Sequence, residues 1–422
     1  VGKEFEIVRL GECRNNSPVE SALYIGDDDR VLLHVTASAC RNCGGNPPSL
    51  ERAGPRNSIF FKPDNTRMGI VTCGGLCPGL NDVLRSVVMV AWYRYGVHSI
   101  FGYKYGYEGL SPGFGHKPME LTPEIVADIH QDGGTILGSS RGPQKTSVMV
   151  DFLVKEGINI LFAIGGDGTQ RGALEIAREI GRRRLPISVV GIPKTIDNDI
   201  AYTERTFGFE TAVEASQDVI TCAHMESKGV MNGVGLVKLM GRESGFVAAY
   251  ASLASSDVNI VLIPESPFST PKLMDYLQQR LRRKAHAVLV VAEGAGQDMA
   301  AGEGVDASGN RKLGDIGVFL KNEITKHFKV IGMEASVKYM DPSYVIRSVP
   351  ANASDSVFCF QLAENAVHAA MSGRTAMVVG LWNGQFVHVP TALAISERKK
   401  VDTGSLLWQS VLDNTGQPGN LV

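Results

Sequence analysis

The chain has 422 residues, 44% of them apolar and 20% charged, which is the composition of a folded globular protein and excludes a disordered one. At that length one core is too few, and two or three compact units are expected. Forty-two basic against 44 acidic side chains leave a net charge of −2; that balance argues against a nucleic-acid or membrane-surface role, and no run of about 18 apolar residues marks a transmembrane helix.

Residues 1 to about 62 read differently from the rest. The opening VGKEFEIVRLGE mixes charged and apolar residues and lacks the continuous apolar core of a signal peptide. Apolar spacing is irregular, the charge run Asp27-Asp28-Asp29-Arg30 interrupts it, and only Arg30–Thr36 resembles a strand. This part is expected to be a small N-terminal extension. Cys40 and Cys43 form a lone C-x-x-C with no second ligand pair near it, so two free thiols in a loop is the better reading than zinc. Seven cysteines in so long a chain suit reduced thiols in an intracellular compartment.

From residue 68 the pattern becomes regular. Apolar runs at 68–72, 159–164, 187–192, 233–239, 259–263, 287–292 and 376–381 read as buried strands. Stretches with helical spacing lie between most of them, at 80–93, 170–184, 209–224, 271–284 and 356–371. Continuous apolar strands alternating with helices predict an α/β fold of mainly parallel sheets covered on both faces. Ligands of such sheets bind beyond the carboxyl ends of the strands. The chemistry-bearing motifs should therefore follow the apolar runs, and they do.

After 68–72 comes Cys73-Gly74-Gly75-Leu76-Cys77-Pro78-Gly79, where adjacent glycines let backbone N–H groups approach phosphate and a helix N-terminus adds favourable potential. A tight turn with no ligand explains it as well, and the two cysteines read as small fillers rather than nucleophiles. After 159–164 comes Gly165-Gly166-Asp167-Gly168-Thr169-Gln170, in which Asp167 could hold Mg2+ beside phosphates. An Asp at a helix start between turn glycines is the plain alternative. After 187–192 comes Pro193-Lys194-Thr195-Ile196-Asp197-Asn198-Asp199, which concentrates an acceptor for a hydroxyl proton, a second acid and a cation for phosphate. After 233–239 comes Met240-Gly241-Arg242-Glu243-Ser244-Gly245, with an arginine that can grip a phosphate through two parallel bonds. Glu293 follows 287–292, and Asp341-Pro342-Ser343-Tyr344-Val345-Ile346-Arg347 adds a tyrosine and another arginine.

The ordered set GGLCPGLND, GGTILGSSRGP (133–143), GGDGT, PKTIDND, KLMGRESGF and DPSYVIR resembles the 6-phosphofructokinase family over essentially all of 51–400. ERAGPRNSIFF and GSSRGPQ are most similar to the ATP-dependent enzymes of trypanosomatids, with plant enzymes close behind. The resemblance implies two doubly wound Rossmann-like lobes: a nucleotide-binding lobe of 63–208 and 347–395, and a sugar-phosphate lobe of 209–346 and 396–422, beside the extension 1–62. It implies phosphoryl transfer from ATP, with Mg2+, to the 1-hydroxyl of fructose 6-phosphate, in a cytoplasmic homotetramer open to a nucleotide or metabolite effector. An organelle of the glycosome or peroxisome type is the alternative compartment, if a signal lies outside the visible ends.

Position by position, the resemblance gives Asp197 as the base, with Thr195, Lys194 and Arg242 completing the catalytic set. Nucleotide contacts fall on Gly74, Gly75, Tyr107, Arg141, Gly166, Asp167, Gly168 and Thr169, with Asp167 also the Mg2+-linked carboxylate. Sugar-phosphate contacts fall on Thr195, Asp197, Asp199, Met240, Gly241, Arg242, Glu293, Lys338, Tyr344 and Arg347. Lys194 is shared with pyrophosphate-dependent members, whereas those members place an aspartate where Gly168 stands. Tyr344 replaces a histidine, and one phosphate-binding arginine of the bacterial enzymes has no counterpart near Gly233. Competing readings are a pyrophosphate-dependent enzyme, a NAD or lipid kinase sharing only GGDGT, and a catalytically silent regulatory subunit. The last would be expected to have lost Asp167 or Asp197.

Overall fold

Five strands lie parallel in one sheet: Ser99–Tyr103, Arg67–Thr72, Ile160–Gly165, Ser188–Pro193 and Met377–Trp382, in that spatial order. The computed structural model describes residues 2–40, 47–300, 302, 304 and 312–422. Cys43, and with it the C-x-x-C pairing to Cys40, lies outside the described residues. The three central strands are buried over nearly their whole length, which is why their sequences run apolar without alternation. Antiparallel strands finish both edges. Gln385–Pro390, Ser49–Arg52 and Arg30–Leu32 extend one side and Met119–Glu120 the other, giving nine strands among the described residues. Gln385–Pro390 returns from its neighbour through Asn383-Gly384, both at positive φ (47° and 70°), the backbone that a two-residue hairpin favours.

A second sheet is wholly parallel, in the order Ile260–Leu262, His286–Ala292, Gly233–Leu239 and Ser336–Met340. Its core packs Leu236, Leu289 and Val291 against Leu273 and Leu277 of helix Thr270–Lys284 and Leu320 and Phe328 of helix Ile316–Val330. The chain thus divides into two units. The first holds 1–195, 200–208 and 348–397; the second holds 196–199, 209–347 and 398–422.

Register sets where the motifs emerge. Thr72 pairs with Ile164, and Ile164 with Ile192, so three adjacent parallel strands of the first unit end level. In the second unit Leu239 pairs with Ala292, while Met340 pairs with Val237. Each unit therefore presents its loops from one edge of its sheet. In the first unit the connection reverses direction between 67–72 and 160–165, the position at which open parallel sheets bind ligands.

The first 62 residues are tied to the rest of their unit by a buried ion cluster. Glu51, on strand Ser49–Arg52, accepts from the Arg374 guanidinium and from His388 Nδ1 at 2.8 Å, and lies 3.3 Å from Arg56 NH2. Asp27 bonds the same Arg374 at 2.7 Å and Arg9 at 2.6 Å. Burial pushes Glu51 upward, but the His388 hydrogen bond and the Arg374 charge outweigh it and hold the carboxyl below its ordinary value. Burial drives His388 down to about 4, so it is neutral at pH 7 and donates Nδ1–H to Glu51. A histidine whose folded pKa lies below its unfolded value of 6.5 contributes stability that is complete above 6.5 and lost as pH falls towards 4. Glu51 adds a loss below its own unfolded value of 4.5. Thermal unfolding should therefore show stability falling by about 2 kcal/mol from His388 alone between pH 7 and 5, at ~1.4 kcal/mol per unit. A melting temperature flat across that range would sink the assignment.

Candidate active site

The first constellation belongs to the first unit. Gly74 adopts φ +86°, which glycine tolerates without strain, and its N–H donates to the Ser140 carbonyl at 3.1 Å. Ser139 Oγ donates to the Gly74 carbonyl at 2.5 Å, so the 138–141 loop is laced to the glycine turn. Lys194 is buried and its Nζ donates to the Gly75 carbonyl at 2.6 Å. A Cβ built on Gly74 would stand 3.4 Å from that ammonium. Lysine and glycine turn thus share one small space, where a phosphate would meet both a cation and open backbone. Arg141 is exposed beside this turn.

Gly166 leads into helix Asp167–Arg182, placing the Asp167 carboxylate in its first turn. Arg171, one turn on, grips that carboxylate twice, at 2.9 and 3.3 Å, and also donates to the Ile395 carbonyl. Gly168 is exposed, and a Cβ there would meet nothing within 4 Å. Thr169 is buried, and its carbonyl accepts from the Tyr107 hydroxyl at 2.6 Å. Tyr107, a nucleotide contact by resemblance, is itself buried and spends its hydroxyl on supporting the helix start. Thr195 is half-buried, its carbonyl accepting from Thr206 Oγ1 at 2.6 Å. Cys73 and Cys77 are buried fillers. The Cys77 thiol donates to the Phe207 carbonyl, and burial raises the Cys73 thiol to about 12.

The second constellation belongs to the second unit. Asp197 accepts from the Arg242 backbone N–H at 3.4 Å, and its own carbonyl accepts from Ser244 Oγ at 3.0 Å. Burial raises its carboxyl to about 7, helped by the negative charges of Asp199 and Glu293 and opposed by the Arg242 N–H and the Arg398 charge. Asp199, almost fully buried, is paired with the Arg398 guanidinium. Between the two acids Asn198 sits at φ +54°, a left-handed conformation that asparagine accepts more readily than most residues.

Gly241 adopts φ +134°, and a Cβ there would collide with the Ser244 carbonyl at 2.5 Å, so only glycine lets the chain turn from Met240 into Arg242. Gly294 N–H donates to the Gly241 carbonyl at 3.0 Å, which fixes Glu293 beside that turn. The Glu293 carboxyl is raised, chiefly by burial. Lys238 bridges Asp341 (2.8 Å) and Asp315 (3.1 Å), anchoring the start of the 341–347 segment. Arg347 lies 4.6 Å over the Tyr344 ring, whose side chain is three-quarters exposed. Met240, just past strand Gly233–Leu239, and Lys338, within strand Ser336–Met340 opposite Gly235, are both half-buried. Three residues of these sites went unread in the sequence: Arg171, Arg398 and Lys399, whose Nζ donates to Asn198 Oδ1 at 3.0 Å. Their only sequence signal is charge near a motif or a basic run, which ordinarily marks a solvated face.

Comparison with known proteins accords with this geometry. A profile described as "Phosphofructokinase" matches residues 67–370. The chain is 46% identical to an ATP-dependent 6-phosphofructokinase of Borreliella burgdorferi, over 98% of this chain and 97% of that protein. An Entamoeba histolytica protein described in the same words is 50% identical, covering 96% and 93%, and a Trypanosoma cruzi one 49%, covering 88% and 77%. Among solved structures, a pyrophosphate-dependent phosphofructokinase of Marinobacter aquaeolei superposes with a TM-score of 0.69 at 19% identity, covering 83% and 91%. That likeness speaks for the fold alone.

Proposed function

The chain belongs to the phosphofructokinase family, and from this we propose that it transfers the γ-phosphoryl group of ATP to the 1-hydroxyl of fructose 6-phosphate, giving fructose 1,6-bisphosphate and ADP, a step of glycolysis. The observation that carries it is Asp197, a buried carboxyl whose proton affinity is raised to about 7, the poise of a general base working near neutral pH.

Phosphoryl transfer asks little covalent chemistry of a protein; it needs positioning, charge neutralisation and a base. Asp197 would take the 1-hydroxyl proton as the oxygen attacks phosphorus. Arg242 offers a guanidinium to the 6-phosphate or the transferred group, and Arg347 a second one. Glu293 and Tyr344 would meet the sugar, with Met240, Gly241, Thr195 and Lys338 around it. In the first unit the N–H groups of Gly75, Gly166, Gly168 and Thr169 suit the triphosphate, the Gly74 turn leaves it room, and Lys194 and Arg141 add charge. We accordingly assign nucleotide binding to 63–208 with 347–395, and sugar-phosphate binding to 209–346 with 396–422.

Asp167 fits Mg2+. Among the described residues no three His, Cys, Asp or Glu side chains converge as a metal cage. Mg2+ bound mostly by water and substrate phosphates needs only one or two carboxylates. Asp167 would hold it, directly or through water, and its charge would offset that of the phosphates. Among the described residues no helix is long and apolar enough to cross a membrane. A cytoplasmic homotetramer with a metabolite effector is the assembly we propose by family likeness.

Lys194 is the observation that favours a pyrophosphate donor, since its ammonium would serve either phosphate. The test is a steady-state assay of purified protein with fructose 6-phosphate, comparing ATP and pyrophosphate. A higher kcat/KM with ATP is expected; the reverse would overturn the donor, and no turnover with either would overturn the reaction.

A further inference from the structure

The acid loop 196–199 takes support from other segments of the chain. Its middle residue is at positive φ, and it carries two carboxylates that repel each other across a single asparagine. Part of what fixes it comes from residues some 200 positions away, just before the C-terminal helix Leu406–Thr415. The Arg398 guanidinium pairs with the Asp199 carboxylate. Lys399 adds two bonds: its backbone N–H donates to the Asp199 carbonyl at 2.9 Å, and its Nζ donates to Asn198 Oδ1 at 3.0 Å. The same ammonium lies 5.1 Å over the Phe246 ring, which limits where it can go.

A second tie closes the arrangement. Glu265 Oε1 accepts from Val401 N–H at 2.8 Å and from Gly245 N–H at 3.0 Å, so one oxygen joins the 398–401 segment to the turn that carries Arg242. That turn in turn contacts Asp197 through Arg242 N–H and Ser244 Oγ. The acid loop is therefore held from both sides, and Glu265 locks the two sides together.

We propose that Arg398 and Lys399 are positioning residues for the phosphoryl-transfer reaction, clamping the Asp197–Asn198–Asp199 backbone so that the base meets the sugar hydroxyl in one orientation. The proposal rests on the function given above. Neither side chain needs to touch substrate. Arg398 fixes the second acid by a charged bond, Lys399 fixes the left-handed turn, and Asp197 inherits the direction that both impose. A base displaced by about 1 Å costs on the order of 10²-fold in rate with little loosening of the substrate, because the proposed sugar and phosphate contacts on Arg242, Glu293, Tyr344 and Arg347 lie outside the acid loop.

The test uses the whole chain with Arg398→Met, Arg398→Lys and Lys399→Met. Steady-state kinetics, melting temperature and amide hydrogen exchange would be measured on each. Both Met variants should lose roughly 10–100-fold in kcat with KM for fructose 6-phosphate and ATP within about threefold. Arg398→Lys should recover part of that loss, since it keeps the charge. Exchange at residues 197–199 should quicken while exchange in the central strands does not. A kcat within twofold of the parent overturns the clamp, as does a loss confined to KM, which would make Arg398 a substrate contact. Should the parent itself prove inactive on fructose 6-phosphate, the functional reading falls. Unchanged exchange at 197–199 in the variants would then reject the clamp separately, and quickened exchange would uphold it.

Discussion

Asp197→Ser should lower kcat by roughly 10²–10⁴-fold, the usual worth of a positioned base, while KM for fructose 6-phosphate moves far less. The geometry supports a large effect on rate and a small one on folding. The carboxylate accepts a long backbone bond from Arg242 and stands near Asp199 and Glu293, whose charges disfavour its ionised form. Removing it relieves repulsion as well as losing that bond. The same surroundings set the pH dependence. A base must be ionised to accept a proton, and burial has lifted this carboxyl to about 7. With the folded value far above the ordinary 3.8, kcat/KM for the parent should fall on the acid side of about pH 7, tenfold per unit. The serine variant should lack that limb. A variant within threefold of the parent rate would remove Asp197 from the mechanism, and a parent profile flat down to pH 5 would remove its raised proton affinity.

Gly168→Asp should depress ATP-driven turnover by roughly 10²–10³-fold in kcat/KM. A Cβ at this position meets nothing within 4 Å, and the backbone is not left-handed there, so the chain accommodates a side chain without strain. What the new carboxylate would meet is ligand. It adds a negative charge directly beside Asp167, at the helix start proposed to approach the triphosphate. Two like charges about 4 Å apart near a protein surface repel by about 4 kcal/mol, which corresponds to the upper end of that loss. Gly168→Asn fills the same volume without charge and should lose much less. An unchanged melting temperature with ATP kinetics like the parent's would show that Gly168 faces no phosphate. Lys194 discriminates less, since a cation bonded to the Gly75 carbonyl is available to either donor.

The parts of the fold legible in the sequence are those buried on both faces. Ile160–Gly165, Ser188–Pro193 and Gly233–Leu239 read as continuous apolar runs because helices cover both sides of them. Ser336–Met340 escaped notice because it is an edge strand, half-buried throughout, with Lys338 in its middle. Gln385–Pro390 and Ser49–Arg52 escaped for a related reason: one starts exposed and is buried only over three residues, Val387–Val389, and the other buries a charged residue, Glu51, whose partners Arg374 and His388 are hundreds of positions away. The site divides the same way. Glycine turns and acids at strand ends announce themselves locally, since each must follow its own strand. Arg398 and Lys399 do not, because their partner is distant in sequence and a basic run looks the same whether it is solvated or clamped. Tyr107 is named by the family pattern alone; in the structure its buried hydroxyl donates to the Thr169 carbonyl at the start of the nucleotide-side helix.

The buried cluster around Glu51 also constrains the order in which a nascent chain can mature. Glu51 leaves the ribosome 323 positions ahead of Arg374, its closest partner. At ~5–20 residues per second, that interval is roughly 15–65 s. Strand Ser49–Arg52 waits longer still, because the neighbour it pairs with, Gln385–Pro390, is made later. The earliest-synthesised strands of the sheet are therefore the last to find their places. Meanwhile Met377–Trp382 and its hairpin are missing from the parallel array, and the edge of Ser188–Pro193 stands open. Ribosome-bound chains ending short of about residue 390 should thus be the species that chaperones hold, since an open apolar strand edge invites pairing with another chain.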